Sequence, residues 1–318
     1  MANYRNIHGI NIETVTSNPD NPANGQVWYN STDQKLRANS KTTAGAWASG
    51  GNLNTARRFL GGSGIQTAAL AFGGATAPAR VANTEQYDGS SWTEVSDLNT
   101  ARNGVAGAGT QTSALAIAGF EPPATAKVEE WDGSSWTEVG DLNTARSSLG
   151  GCGADNTAAL AFAGDPASAA TESWNSSSWT EVGDLNTARA EVGSFGTYTS
   201  AISAGGTPPL TGKTESWNGS SWTEVADMNT ARQGMGSSGT SNATGIVFGG
   251  DPSKTETETW NGTSWTEDTD MNVNRTQIGS AKNGGTSSTL GFGGTGVTAS
   301  TEEWSGAGAN STREFNLS

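Results

Sequence analysis

The residues that most often carry chemistry are scarce in this chain. It has one histidine, His8, and one cysteine, Cys152. Ser-His-Asp or Cys-His catalysis needs an imidazole beside its nucleophile, and His8 stands about 50 residues ahead of the repeated phrases that fill most of the chain. Cys152, between Gly151 and Gly153, reads as a small core filler. The carboxylates are more numerous. Asp97, Asp141, Asp184, Asp227 and Asp270 recur in register, with Asn52 in a sixth equivalent place, and a ring of such oxygens can hold a cation. A residue present in every copy serves what every copy needs, however, and Asp or Asn here reads as a turn former bonding to nearby backbone. The adjacent pairs Glu129/Glu130 and Glu302/Glu303 invite a glycosidase reading, in which two carboxyls flank one bond. Neighbours in a strand point to opposite faces, so they are poor partners. Asn218 and Asn261 match a glycosylation triplet only because their phrase is repeated. The sequence predicts a non-enzymatic protein with no catalytic, cofactor or metal site.

The elements that would position these groups come from the repeat. "SSWTEVGDLNTAR" occurs at 134–146 and again at 177–189, with close copies at 90–102, 220–232 and 263–275. Its last arginine gives Arg57, Arg102, Arg146, Arg189, Arg232 and Arg275, at intervals of 45, 44, 43, 43 and 43 residues. A period of this length is one supersecondary unit. After each arginine comes a small-residue stretch, then an apolar run ending in a glycine pair or its relic ("TAALAFGG", "TAALAFAG"), then a loop. A glutamate follows two places before an aromatic, as in Glu85/Tyr87 and Glu172/Trp174, and a second tryptophan follows five residues on. Short runs bounded by Gly, Asn, Asp and Ser are strands joined by turns. Four such strands in about 43 residues make a propeller blade.

The second tryptophans, Trp92, Trp136, Trp179, Trp222 and Trp265, have a sixth counterpart in Trp47, ahead of the first full repeat. Two closures compete. Trp47 completes the last blade, or "STREFNLS" does, with Phe315 as its anchor. In "WTEV" the Trp and Val are expected on one side of the outer strand, packing blade on blade. The arginines are expected to pair with the repeated glutamates. With scaffold assigned to what recurs, binding is expected where blades differ, in the loops between glycine pair and glutamate. Their distinctive residues are Arg80, the apolar knob Phe120, Glu121, Pro122 and Pro123, and Leu210 with Lys213.

Composition agrees with a folded all-β protein. Only 33% of residues are hydrophobic and 44 are glycine, yet 12 tryptophans supply large apolar surfaces to bury. One cysteine permits no internal disulfide. A formal charge of −14 argues against nucleic acid as a partner. "MANYRNIHGI" has no apolar signal region, and no window approaches the eighteen or so apolar residues of a membrane span. The expectation is a soluble protein made without secretion.

Two resemblances follow from these motifs. The glycine pair, aromatic, Trp and opening arginine resemble the kelch motif over about 260 of 318 residues, which implies a kelch-type propeller. That fold also carries a copper radical oxidase, whose site needs two histidines and a Cys crosslinked to Tyr. One His8 and one Cys152 cannot assemble it. At the N-terminus, "NPANGQVWYNST" followed by Leu36 and Arg37 resembles the N-terminal module of tailed-bacteriophage virion proteins. "QVWYN" and "KLRAN" flank a turn and predict a hairpin with Trp28 and Tyr29 on opposite faces.

The expected organisation is an N-terminal anchor (1–46), a closed six-bladed kelch-like β-propeller (47–309) and a C-terminal tail (310–318). Ile10, Ile12, Val27, Trp28, Tyr29 and Leu36 are the candidate anchor contacts, buried against other virion proteins in an oligomeric assembly. The propeller rim is expected to meet a host-surface glycan or protein, in a virion assembled in the host cytoplasm. The alternative is a free kelch-type carbohydrate-binding or adaptor module.

Overall fold

A computed structural model describes residues 12–19, 23, 25–41, 44–252, 254–308 and 310–315. His8 and Ile10 lie outside them. The described residues contain strands and no helix. They divide into two compact units, one running from Ala46 to Ser305 and the other combining the described residues up to Gly45 with those from Gly306 onward.

The larger unit holds six four-stranded antiparallel sheets, an arrangement consistent with a β-propeller. Sheet I is typical: Gly61–Ile65, Ala68–Phe72, Thr84–Tyr87 and Trp92–Val95 pair in sequence order. Sheets II to V repeat it, with inner strands Ala106–Gly109, Gly150–Gly153, Gly193–Thr197 and Gly236–Ser241. In sheet VI, Gly279–Ser280, Ser288–Phe292 and Thr301–Ser305 are completed by Ala46–Ser49, with Trp304 opposite Trp47. The outer strand of sheet VI thus comes from the Trp47 segment.

Small residues in the inner strands follow from how closely these strands approach. Each touches the inner strand of the next sheet, and Gly279–Ser280 touches Gly61–Ile65. A Cβ on Gly107 would sit 2.1 Å from the Gly62 carbonyl oxygen, so no larger residue fits there. Outside this layer the aromatics take over. In each sheet the third-strand aromatic pairs with the outer-strand tryptophan, from Tyr87–Trp92 at 5.0 Å to Trp174–Trp179 at 5.4 Å between ring centroids. The second-strand Phe72, Phe162, Phe248 and Phe292 meet the tryptophan of a neighbouring sheet edge-on, a favoured aromatic geometry.

Trp and Val of "WTEV" do not share a side. Trp92 packs with Leu290 and Phe292 of sheet VI, whereas Val95 packs with Val105 and Trp136 of sheet II. They are three residues apart, and a period of two puts such residues on opposite faces. One short strand therefore grips both neighbours.

The repeated phrase is fastened by a buried polar clip. Arg57, Arg189, Arg232 and Arg275 donate to Glu85, Glu215, Glu258 and Glu302 at 2.7, 2.9, 2.8 and 2.8 Å; Arg102–Glu129 and Arg146–Glu172 complete the six. The second oxygen of each glutamate accepts the backbone N–H and side-chain amide of the phrase's asparagine, as Glu215 does from Asn186 at 2.7 and 2.8 Å. Burial pushes the guanidinium pKa down at Arg57, Arg146, Arg189, Arg232 and Arg275, and the facing glutamate opposes that shift. An ion pair this deep is costly to break on one side only. The aspartates of the phrase act locally: Asp97 and Asp184 accept the N–H of Thr84 and Thr171 at 3.0 and 3.2 Å.

In the smaller unit, Glu13–Val15 runs parallel to Val27–Asn30, which pairs antiparallel with Lys35–Lys41. Asn310–Phe315, expected as part of a tail, is the fourth strand, aligned antiparallel to Lys35–Lys41. The sheet's edge supplies a register that the polar sequence of that segment does not advertise. Trp28, expected as an anchor contact buried against other chains, is 1% exposed within this sheet, and its indole N–H donates to Asn18 Oδ1 at 3.2 Å. The same oxygen accepts from Asn30 at 3.1 Å and Arg37 at 2.8 Å, which makes this face a polar-capped core. Val27, Tyr29 and Leu36 lie half-buried on the other face, while Ile12 is exposed.

Candidate functional site

Two residues after each repeat arginine, the chain turns into its inner strand. The six positions are Phe59, Gly104, Ser148, Glu191, Gly234 and Gln277, all with positive φ between 50° and 62°. Each N–H donates to the carbonyl of the equivalent residue in the preceding sheet, Gly104 to Phe59 at 2.8 Å and so on to Gln277 to Gly234 at 2.6 Å. Phe59 donates to Gln277 at 3.1 Å. This collar uses backbone alone, so its side chains are free to differ from sheet to sheet.

Inside the collar lies a pocket of about 90 Å³ lined by Phe59, Ser148, Glu191, Gln277 and, deeper, by the glycines and serines of the inner strands and by Lys282. A wider groove of about 360 Å³ shares Phe59, Gly104, Ser148 and Glu191 with it and extends outward past Asn103, Phe120, Asp165, Thr207 and Pro208. The loops after the glycine pairs are held against the collar by short bridges, Asn103 with Phe120, Ser147 with Asp165 and Ala190 with Thr207. The varying loops and the varying collar residues therefore share one face.

The groove combines two phenyl rings, Phe59 and Phe120, with amide, hydroxyl and carboxylate groups. Glu191 is partly buried, and that burial, aided by Asp251 and Asp165, raises its carboxyl pKa. Such a surface can stack an apolar ring face and hydrogen-bond hydroxyls. Among the described residues, no three of His, Cys, Asp and Glu gather as metal ligands would.

Of the expected rim residues, Phe120 lines the groove and Arg80 lies over its ring, with the guanidinium carbon 4.6 Å from the centroid. Glu121 is drawn instead to Lys127 at 3.2 Å, and Lys213 to Glu224 at 3.2 Å. Pro122, Pro123 and Leu210 are exposed outside the groove. Trp92, Trp136, Trp179, Trp222, Trp265 and Trp47 are core residues. The collar residues escaped sequence reasoning because they sit two places after an arginine read wholly as scaffold; their signal was the change from Phe to Gly, Ser, Glu and Gln in otherwise equivalent positions. Cys152 is buried, and that burial pushes its thiol up to about 12.

No protein-family model matches the chain. No curated protein matches it either.

Proposed function

We propose that this is a non-enzymatic structural protein of a bacteriophage virion. Residues 46–305 form a closed, six-bladed, kelch-like β-propeller displayed for attachment to host-surface glycan, for decoration or for spacing. The N-terminal region joins the propeller to other virion proteins. Closure is supported by the collar of hydrogen bonds that runs from Phe59 back to Gln277 and by the Ala46–Ser49 strand in sheet VI. The bacteriophage assignment rests on the "NPANGQVWYNST" phrase and the style of the repeats.

The observation that carries the binding role is the segregation of the repeat. The clips and tryptophans are uniform, whereas Phe59, Phe120, Ser148, Asp165, Glu191 and Thr207 break the repeat and meet in one groove. A glycan array probed with the full chain tests this. Binding to a subset of host polysaccharides, lost in Phe120→Ala with an unchanged melting temperature, is expected. No binding to any polysaccharide overturns the adhesion role, and absence of the chain from purified particles by mass spectrometry overturns the virion role. A free carbohydrate-binding module is the second reading. It is favoured by the burial of Trp28 and by the strand Asn310–Phe315, which together give the smaller unit its own four-stranded sheet.

A further inference from the structure

The inner strands carry a column of glycines seven residues after each arginine: Gly64, Gly109, Gly153, Gly196 and Gly239. At that offset from Arg275 stands Lys282, and the glycine that abuts the second strand comes two residues later, at Gly284, where a Cβ would lie 2.0 Å from Ser288 O. Here the last inner strand, Gly279–Ser280, stops after two residues. Asn283 donates its N–H to Gly64 O at 2.9 Å and its side-chain amide to Gly109 O at 3.0 Å, while the Lys282 carbonyl accepts from Gly239 at 2.9 Å. Strands of sheets I, II and V are thus tied to a single segment, and its Lys282 lines the pocket.

The Lys282 side chain reaches Ser194 and Ser237, which belong to the inner strands of sheets IV and V. Its ammonium donates to Ser237 Oγ at 3.1 Å and to Ser194 O and Oγ, both at 3.3 Å. All three acceptors are neutral. Among the described residues, no carboxylate lies within ion-pair distance of it; Glu191 lines the same pocket but belongs to the collar. Burial pulls the Lys282 pKa down to about 8, so at neutral pH the group is still mostly a cation. A part-buried ammonium bonded only to neutral oxygens, with the buried Cys152 thiol as its titratable neighbour, is a costly arrangement. An anion entering the pocket supplies the missing charge.

We propose that the pocket inside the collar is a subsite for the anionic group of an acidic saccharide, a carboxylate or a sulfate ester, with the Lys282 ammonium as its counter-ion. The assignment rests on the glycan-binding reading of the adjoining groove. The anion reaches the serine layer, and the sugar ring stays at the collar, beside Phe59 and the hydroxyl and amide of Ser148 and Gln277. The lysine selects charge, and the collar and groove select the sugar.

The test uses the full chain and three probes at matched ionic strength: D-glucuronate, D-glucose and sodium sulfate. Binding is read by calorimetry and by the shift in melting temperature. Glucuronate is expected to bind wild type at least tenfold more tightly than glucose, and Lys282→Met is expected to abolish that difference. Lys282→Gly, which removes the whole side chain, serves as a second variant, with far-UV circular dichroism reporting that each is folded. Equal affinity for glucuronate and glucose in wild type, or an unchanged preference in both folded variants, overturns the proposal. Sulfate that binds as tightly as glucuronate and depends on Lys282 supports the counter-ion and overturns the saccharide. The glycan-binding reading is tested separately, because neutral polysaccharides retained by wild type and by both Lys282 variants leave it standing when the anion subsite fails.

Discussion

Five of the six outer-strand tryptophans spend their indole N–H on a threonine in the neighbouring sheet. Trp47, Trp92, Trp136, Trp222 and Trp265 donate to Thr257, Thr301, Thr84, Thr171 and Thr214 at 3.0 to 3.1 Å. Trp179 has no partner among the described residues, because the equivalent place is Val128. The two share one core cluster, with Val128 fully buried. Val128→Thr should therefore stabilise the protein. An orphaned buried donor costs about 1–3 kcal/mol, and exchanging a buried methyl for a hydroxyl costs about 1 kcal/mol of transfer energy, which leaves a net gain of about 1 kcal/mol. Equilibrium unfolding in urea should show a higher midpoint at unchanged slope. The decisive comparison is made in a Trp179→Phe background. There the new hydroxyl has no donor to receive, so the same Val128→Thr change should lose about 1–2 kcal/mol. A loss of similar size in both backgrounds would refute the reasoning, since the hydroxyl would then be an unpaired burden irrespective of the indole.

The remaining predictions concern buried charge. Arg189→Met strands the Glu215 carboxylate and should cost roughly 3–5 kcal/mol, whereas Arg189→Met with Glu215→Gln should recover part of that loss because the amide oxygen still accepts from Asn186; a double variant no more stable than the single one would count against the clip as an ion pair. Lys282 has a folded pKa of about 8 against an ordinary value of 10.5. Between those pH values the unfolded chain holds a proton that the folded one has released, so stability rises with pH. Relative to Lys282→Met, wild type should gain on the order of 2–3 kcal/mol from below pH 8 to about 10.5, measured as the difference in urea midpoints, and a flat difference would mean the ammonium is well solvated.

The sheets were legible in the sequence because each repeat writes its local requirements in the same order. Glycine stands where inner strands touch, Asn or Asp where a turn needs a side-chain acceptor, and Trp where one sheet meets the next. Asp88 shows how local these rules are: Oδ1 accepts the N–H of Ser90 and Ser91 at 2.9 and 2.8 Å, all within "DGSS". The strand Asn310–Phe315 was illegible for the opposite reason. Its partner, Lys35–Lys41, lies more than 260 residues away in sequence, so nothing local assigns this segment, with its one anchor Phe315, to the N-terminal sheet. The burial of Trp28 within its own sheet was also illegible, because it depends on Asn18, whose single oxygen gathers three donors from Trp28, Asn30 and Arg37.

The candidate site follows a different logic, in which a repeat becomes specific by failing to repeat at positions where failure is tolerated. Collar residues satisfy their neighbours through backbone N–H and carbonyl groups, so Phe59, Ser148, Glu191 and Gln277 can differ without breaking a bond. The glycine column is less permissive. A Cβ on Gly64 or Gly196 would lie 2.1 Å from the carbonyl oxygen of Ala68 or Ser200 across its own hairpin. Sheet VI keeps the glycine as Gly284, where a Cβ would lie 2.0 Å from Ser288 O, and Lys282 enters in the two extra residues before it, past the end of the inner strand at Ser280. The early release of the last inner strand and the cation beneath the collar are therefore one adaptation. Removing Lys282 and Asn283 would bring Gly284 to the offset of the other five column glycines, so these two extra residues carry the charge selectivity assigned to the pocket.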